Sequence, residues 1–223
     1  QLQSSAASDV YKRQSVTKAR IAILASGSGS NAEALMNHFY KGSGSEVAEV
    51  AWVCTNRQAA EVRGRAQLLG VAEGHLPKAA IAEGALLREL RSRDIEWVAL
   101  AGFLLKVPAD VCAAFERRMV NIHPALLPKH GGMGMYGMHV HQAVHEAKDV
   151  KSGTTIHWVN EAYDEGDILF QGEVALQPED TPEDIAAKVL ELEHRHYPVV
   201  LEGLIRMAQG TDVRDNTHLK SHS

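Results

Sequence analysis

The residues best suited to chemistry in this chain are Asn121 and His123, in the segment Asn121-Ile122-His123-Pro124-Ala125-Leu126-Leu127-Pro128. An apolar strand run ends there and a proline-bounded loop begins. Polar groups at such a strand end face the ligand crevice of an open α/β sheet. A neutral amide can donate to a developing oxyanion, and an imidazole can carry protons near neutral pH. By residue type alone, a hydrogen-bonded structural histidine at a strand end is the commoner case. A second candidate, Ala25-Ser26-Gly27-Ser28-Gly29-Ser30-Asn31, follows the first apolar run and opens a helix. Its glycines permit a tight turn, and free N–H groups at a helix start suit a phosphate. No Gly-Lys-Ser/Thr follows and the dinucleotide spacing is absent, so a plain strand-to-helix turn stays open. The third candidate is the acidic turn Glu161-Ala162-Tyr163-Asp164-Glu165-Gly166-Asp167. A carboxylate there could tune His123 if the fold joins them; alone, the turn reads as a solvated loop without EF-hand spacing. His139/His141 and His194/His196 stand two apart, which on a helix points them to different faces, so no metal site is expected. Met133, Met135 and Met138 read as loop packing.

These residues need elements to hold them. Ala19–Ala25 is a short apolar run suited to a strand covered on both faces. A helix is predicted over Asn31–Tyr40, a strand over Glu49–Cys54, and a helix over Ala59–Leu69 closed by Gly70. Val71–Leu76 is a third strand, Ala82–Arg93 a helix, Glu96–Ala101 a buried strand, Pro108–Phe115 a short helix and Met119–Ile122 a strand. This alternation implies parallel pairing with right-handed crossovers, an α/β doubly wound and mainly parallel sheet. After Pro124 a Gly/Met-rich loop leads to a helix near His139–Lys148. Two strands follow, Gly153–Val159 and Ile168–Leu176, expected to pair antiparallel. Thr181-Pro182-Glu183-Asp184 carries helix-start signals: an N-cap Thr, Pro in the first turn and acids at the positive end. That long C-terminal helix runs towards Gly210, with a break or kink expected at Pro198.

The chain has 223 residues, 45% of them hydrophobic, enough for one domain with a substantial core. Residues 1–17 are polar and aperiodic, expected as a non-native or disordered leader; 18–210 form the domain, and 211–223 a flexible tail. A net charge of -5 offers no basic stripe, which argues against nucleic acid as a partner. No apolar run reaches a membrane span and no signal-peptide pattern is present, so a cytoplasmic location is expected. Cys54 and Cys112 fit no disulfide or metal pattern and read as small core residues.

Together the segments RIAILASGSGSN, LAGFLLKVP, MVNIHPALLPK, YDEGDILFQ and EDTPEDIAAKVLELEHRHYP resemble the folate-dependent phosphoribosylglycinamide formyltransferases, over about residues 19–209. The resemblance implies a Rossmann-like formyltransferase fold. It implies transfer of the formyl group of 10-formyltetrahydrofolate, a co-substrate, to the amine of phosphoribosylglycinamide in purine biosynthesis, with no metal. It implies Asn121, His123 and Asp164 as the catalytic trio. Gly29, Ser30, Asn31, Leu190 and Glu193 match the phosphoribosylglycinamide site. Leu104, Leu105, Lys106, Val107, Asn121, Asn160, Glu161, Ala162, Tyr163 and Asp164 match the folate site. Small molecules are the expected partners, and the protein a monomer or homodimer. The loop Gly131–Met138 is longer than in the shorter members. Other readings are a different folate-dependent formyltransferase, a formyltetrahydrofolate hydrolase, and a non-catalytic module binding a phosphate ligand.

Overall fold

The computed structural model describes residues 17–162 and 164–210. The expected leader and tail therefore lie outside the described residues, apart from Thr17, as does Tyr163. Strands β1 (Ala19–Leu24), β2 (Ala48–Thr55), β3 (Glu73–His75), β4 (Trp97–Leu100) and β5 (Met119–His123) pair in parallel. Strands β6 (Lys151–Trp158) and β7 (Ile168–Ala175) add on antiparallel, as their sequence suggests. The order is β3-β2-β1-β4-β5-β6-β7. It reverses between β1 and β4, and such a switch point, at the carboxyl ends of the strands, is where ligands bind in an open α/β sheet.

Helices cover both faces. Helices α1 (Ser30–Lys41) and α2 (Val62–Leu68) share a core with Ile21, Ile23, Val53, Val120 and Ile122. On the other face, Ala22, Leu24, Trp52, Val98 and Leu100 pack with residues of α4 (Ala85–Ser92) and α5 (Ala109–Ala114). Alternate residues of the central strands thus serve opposite cores, which is why these strands read as continuous apolar runs. The single helix expected over Ala82–Arg93 is two: α3 (Lys78–Ala82) ends at Glu83, and α4 restarts after Gly84 at φ 78. That left-handed backbone is ordinary for glycine and ends a helical turn.

Helix α6 (Met138–Glu146) follows the Gly/Met loop, and α7 (Pro182–Ala208) closes the molecule. The start of α7 is a complete capping box: the Thr181 hydroxyl accepts from the Asp184 N–H, and Asp184 accepts from the Thr181 N–H. No break occurs at Pro198. The helix continues because Tyr197, Leu201 and Ile205 bury one stripe in the main core, and that packing outweighs one missing N–H donor. Tyr197 is fully buried, and its hydroxyl lies 2.9 Å from the Leu100 carbonyl and 3.1 Å from that of Val120. It pins α7 across β4 and β5 where the strands end. Among the described residues, no helix is long and apolar enough to cross a membrane. Replacing Tyr197 by Phe removes the single buried O–H that the Leu100 and Val120 carbonyls share and should lower the unfolding free energy by about 1–3 kcal/mol. Urea denaturation of the two proteins measures this, and equal midpoints would show that Tyr197 does not pin the helix.

Candidate active site

Asn121 and His123 lie two apart on β5 and so share one face. Antiparallel pairing sets His157 opposite Asn121 and Thr155 opposite His123. His157 lies 2.8 Å through Nδ1 from the Trp158 carbonyl, which can only accept, so Nδ1 carries the proton. Its Nε2 then accepts from the Asn121 amide at 3.0 Å and fixes which way that amide faces. Thr155 donates to the Ala125 carbonyl and accepts from the Leu127 N–H, holding the loop that leaves His123.

Asp164 reaches this group from the acidic turn. Its Oδ2 lies 3.5 Å from His123 Nδ1, and its Oδ1 lies 3.5 Å from the Asn121 amide nitrogen and 3.6 Å from His157 Nε2. Asp164 adopts φ 54, a left-handed conformation that Asp tolerates better than most residues. The turn is anchored by Gly166, where any Cβ would lie 1.7 Å from the Trp158 carbonyl oxygen. Burial works against the Asp164 carboxylate, but the imidazoles of His157 and His123 and the Gly132 N–H together hold its pKa below the usual carboxylate range. The opposite balance rules His123, whose side chain is 4% exposed. Burial lowers its pKa more than the Asp164 charge raises it, so the ring is neutral at pH 7. The sequence suggests that a carboxylate of the acidic turn tunes His123; the fold does join them, but desolvation outweighs the upward pull of Asp164. His123 Nε2 donates to the His130 carbonyl at 2.8 Å, so the neutral ring keeps its lone pair on Nδ1, towards Asp164.

Two cavities meet at this group. The larger, of about 450 Å³, is lined by Asn31, Phe103, Leu104, His123, His141 and Glu193, among others. The smaller, of about 70 Å³, is lined by Leu105, Lys106, Val107, His157, Asn160 and Ala162, among others. Asn121 and Asp164 belong to both walls. At the far side of the larger cavity, the Asn31 amide donates to Glu193 Oε2 at 2.8 Å, while Asn31 Oδ1 is buried without a partner. Burial pushes the Glu193 carboxyl up to about 7 against the opposing Asn31 hydrogen bond. The loops after β1 and β4 are tied together beside it: Ser26 N–H donates to the Gly102 carbonyl, and the Ser26 hydroxyl accepts from the Leu104 N–H.

A profile of the formyl transferase family matches residues 19–201. The chain belongs to that family. It is 39% identical over 188 residues to the chloroplastic phosphoribosylglycinamide formyltransferase of Arabidopsis thaliana, covering 82% of this chain and 64% of that one. It is 32% identical over 202 residues to the phosphoribosylglycinamide formyltransferase of Haemophilus influenzae, covering 84% of this chain and 90% of that one. The crystal structure of glycinamide ribonucleotide transformylase 1 from Symbiobacterium toebii superposes with a TM-score of 0.78 at 32% identity, covering 85% of this chain and 89% of that one. The chain thus spans just under two thirds of the length of the plant relatives it matches.

In this member of the family, the fold brings Asp164 to Asn121 and His123, two neighbours on β5 that lie more than 40 positions before it. Asn31 and Glu193 also meet, while Gly29 stands just before α1 at φ 79, where a Cβ would run into Val62. Ser30 opens α1, and Leu190 is half-buried on α7, three residues before Glu193. Leu104 lines the larger cavity rather than sharing the smaller one with Leu105, Lys106 and Val107; Glu161 is exposed. Met133 and Met135 line the larger cavity, and Met133 is 88% exposed, so this pair is not simple loop packing. Sequence reasoning missed His157 and His130, and it named His141 only as a poor metal ligand and Ser26 only as part of the glycine loop. His157 had a signal: it stands between Ile156 and Trp158 and two residues after Thr155 in a strand that is largely polar yet buried once folded.

Glu193 gives a test that needs no substrate. A carboxyl raised from 4.5 to about 7 favours the folded state while protonated and loses that advantage as pH rises. Relative to Glu193→Gln, the native protein should lose stability between about pH 4.5 and about pH 7 and run parallel to it above. Chemical denaturation across that range measures the difference, and parallel curves throughout would contradict a buried, raised Glu193.

Proposed function

We propose that this formyl transferase moves the formyl group of 10-formyltetrahydrofolate to the amine of phosphoribosylglycinamide. The observation that carries the proposal is the meeting of Asn121, His123 and Asp164 at the wall shared by two cavities, one for each substrate. The larger cavity takes the amine substrate. Its phosphate sits at the Gly29-Ser30-Asn31 start of α1, where backbone N–H groups are free. Glu193 and Asn31 Oδ1 accept from the glycinamide and ribosyl groups. The smaller cavity, between Leu105-Lys106-Val107 and the Asn160–Ala162 turn, takes one end of the folate, with Asn160 and Ala162 on its wall. The names of the bacterial and plant relatives support the same pairing. Cytoplasmic residence is part of this reading, and the free, buried thiols of Cys54 and Cys112 accord with it.

The chemistry follows from the geometry. The amine nitrogen attacks the formyl carbon, a C–N bond forms, and the carbonyl electrons move onto oxygen. Asn121, held by His157, turns its second N–H from the long contact with Asp164 to that oxygen. The amine's proton passes to the Nδ1 lone pair of neutral His123. The resulting imidazolium is stabilised on both sides, by the His130 carbonyl at Nε2 and by Asp164 at Nδ1. His123 then returns the proton to the folate nitrogen as its bond to the formyl carbon breaks, releasing tetrahydrofolate and the formylated amine.

Purified protein should consume 10-formyltetrahydrofolate only when phosphoribosylglycinamide is present, followed by the folate absorbance change. Formyl loss without the amine would mark a hydrolase instead. His123→Ala and Asp164→Asn should each lower kcat by about 10²–10⁴ with the fold retained, since general acid–base catalysis contributes on that scale. The pH dependence has a defined sign. The working His123 is neutral, so kcat falls only as pH drops through a value below the ordinary 6.5. Asp164→Asn removes the chief influence raising that value and should move this acid limb to still lower pH. An acid limb above pH 6.5 in the native enzyme would contradict the assignment of His123 as the base.

A further inference from the structure

The His123–Asp164 pair is held by one short stretch of loop. The His130 carbonyl accepts from His123 Nε2 at 2.8 Å, and two residues later the Gly132 N–H donates to Asp164 Oδ2 at 3.0 Å. The backbone between them thus touches both partners. Further back the loop is tied down by Thr155 and Gln171 acting on Leu127. Beyond Leu127, His130 itself carries φ 56, a left-handed conformation that residues other than glycine rarely adopt. Such a conformation persists where its surroundings over-determine it. The surroundings here are specific. The His130 ring donates through Nε2 to Asp149 Oδ2 at 2.8 Å, and Lys129 donates to the other oxygen of the same carboxylate. The ring and the carboxylate are largely covered, at 13% and 15% exposure. Asp149 sits just before β6, the strand that carries Thr155 and His157.

We propose that Asp149, acting through Lys129 and His130, is a positioning residue: it clamps the loop so that the His130 carbonyl fixes the proton of His123 on Nε2 and leaves Nδ1 free to work. Asp149 touches no substrate in this arrangement. It sets the tautomer and aim of a residue that does. The inference rests on His123 being the proton carrier proposed above.

The test uses the full chain in three variants. Asp149→Ala removes the clamp. His130→Gly removes the ring while relieving the left-handed backbone, so a purely structural role for His130 predicts no harm. Asp149→Asn keeps an oxygen that can accept from the His130 ring. In Asp149→Ala and His130→Gly, kcat should fall about 10- to 100-fold, the scale of a displaced catalytic group, with both KM values within about twofold of native. Asp149→Asn should recover most of the loss. ¹⁵N NMR of the His123 ring should show the Nε2–H form in the native protein and a mixture in Asp149→Ala. Native kcat in His130→Gly, or a native His123 tautomer in Asp149→Ala, overturns the proposal. The NMR arm needs no substrate, so it still decides on the clamp if the native protein turns over neither proposed substrate, an outcome that would defeat the proposed function alone.

Discussion

The antiparallel register of β5 against β6 is the constraint on which the site depends. It sets Asn121 against His157 and His123 against Thr155, so that one strand supplies the reacting groups and its neighbour supplies their supports. Strand side chains alternate faces, so a slip of one residue would present Val120 and Ile122 in their place. The hydrophobic pattern forbids that slip, because Val120 and Ile122 are needed in the core shared with α1 and α7. The catalytic face is thus specified by the apolar face behind it. The same pairing explains the change of strand direction after β5. A parallel neighbour would need a crossover, whereas the antiparallel β6 ends beside Met119 and Val120 at the start of β5, and the acidic turn that follows folds back to bring Asp164 to Asn121 and His123.

Electrostatics at the site are governed by dryness more than by charge pairing. Asp164 remains ionised because the Gly132 N–H and the Asn121 amide donate to it and the polar rings of His157 and His123 lie close by. His123 remains neutral although a carboxylate faces it, because so little of the ring meets water. A gap of 3.5 Å between them is long for a hydrogen bond and suits a ring that gains a proton only during turnover. Glu193 is a third outcome of the same burial, with its carboxyl near neutrality and a single amide to support it.

Much of this was legible from residue order. Five parallel strands and the antiparallel pair announced themselves because covered strands are continuous apolar runs and exposed ones alternate. The Thr181–Asp184 cap marked the start of α7 by local chemistry alone. Where a distant partner decides, the reading failed. Pro198 should break a helix by its own covalent structure, yet the buried stripe of Tyr197, Leu201 and Ile205 carries α7 through. Gly84 splits a helix that its flanking residues would continue. At the site, the identities of Asn121, His123 and Asp164 were recoverable through family likeness. The neutral state of His123 was not, because burial is a property of the assembled fold. Nor was the part played by His157 and His130, whose significance lies in strand pairing and in a single carbonyl.

The bond between Asn31 and Glu193 spans 162 positions, from the first helix to the last. Translation delivers those two ends at different times. While the chain is being made, the strands and the residues of β5 leave the ribosome well before α7, and the wall that Glu193 completes does not yet exist. Tyr197, which pins that helix, comes later still. A nascent chain that has yet to dock α7 therefore has a crevice open on the side that Glu193 closes, and the amine site is completed last.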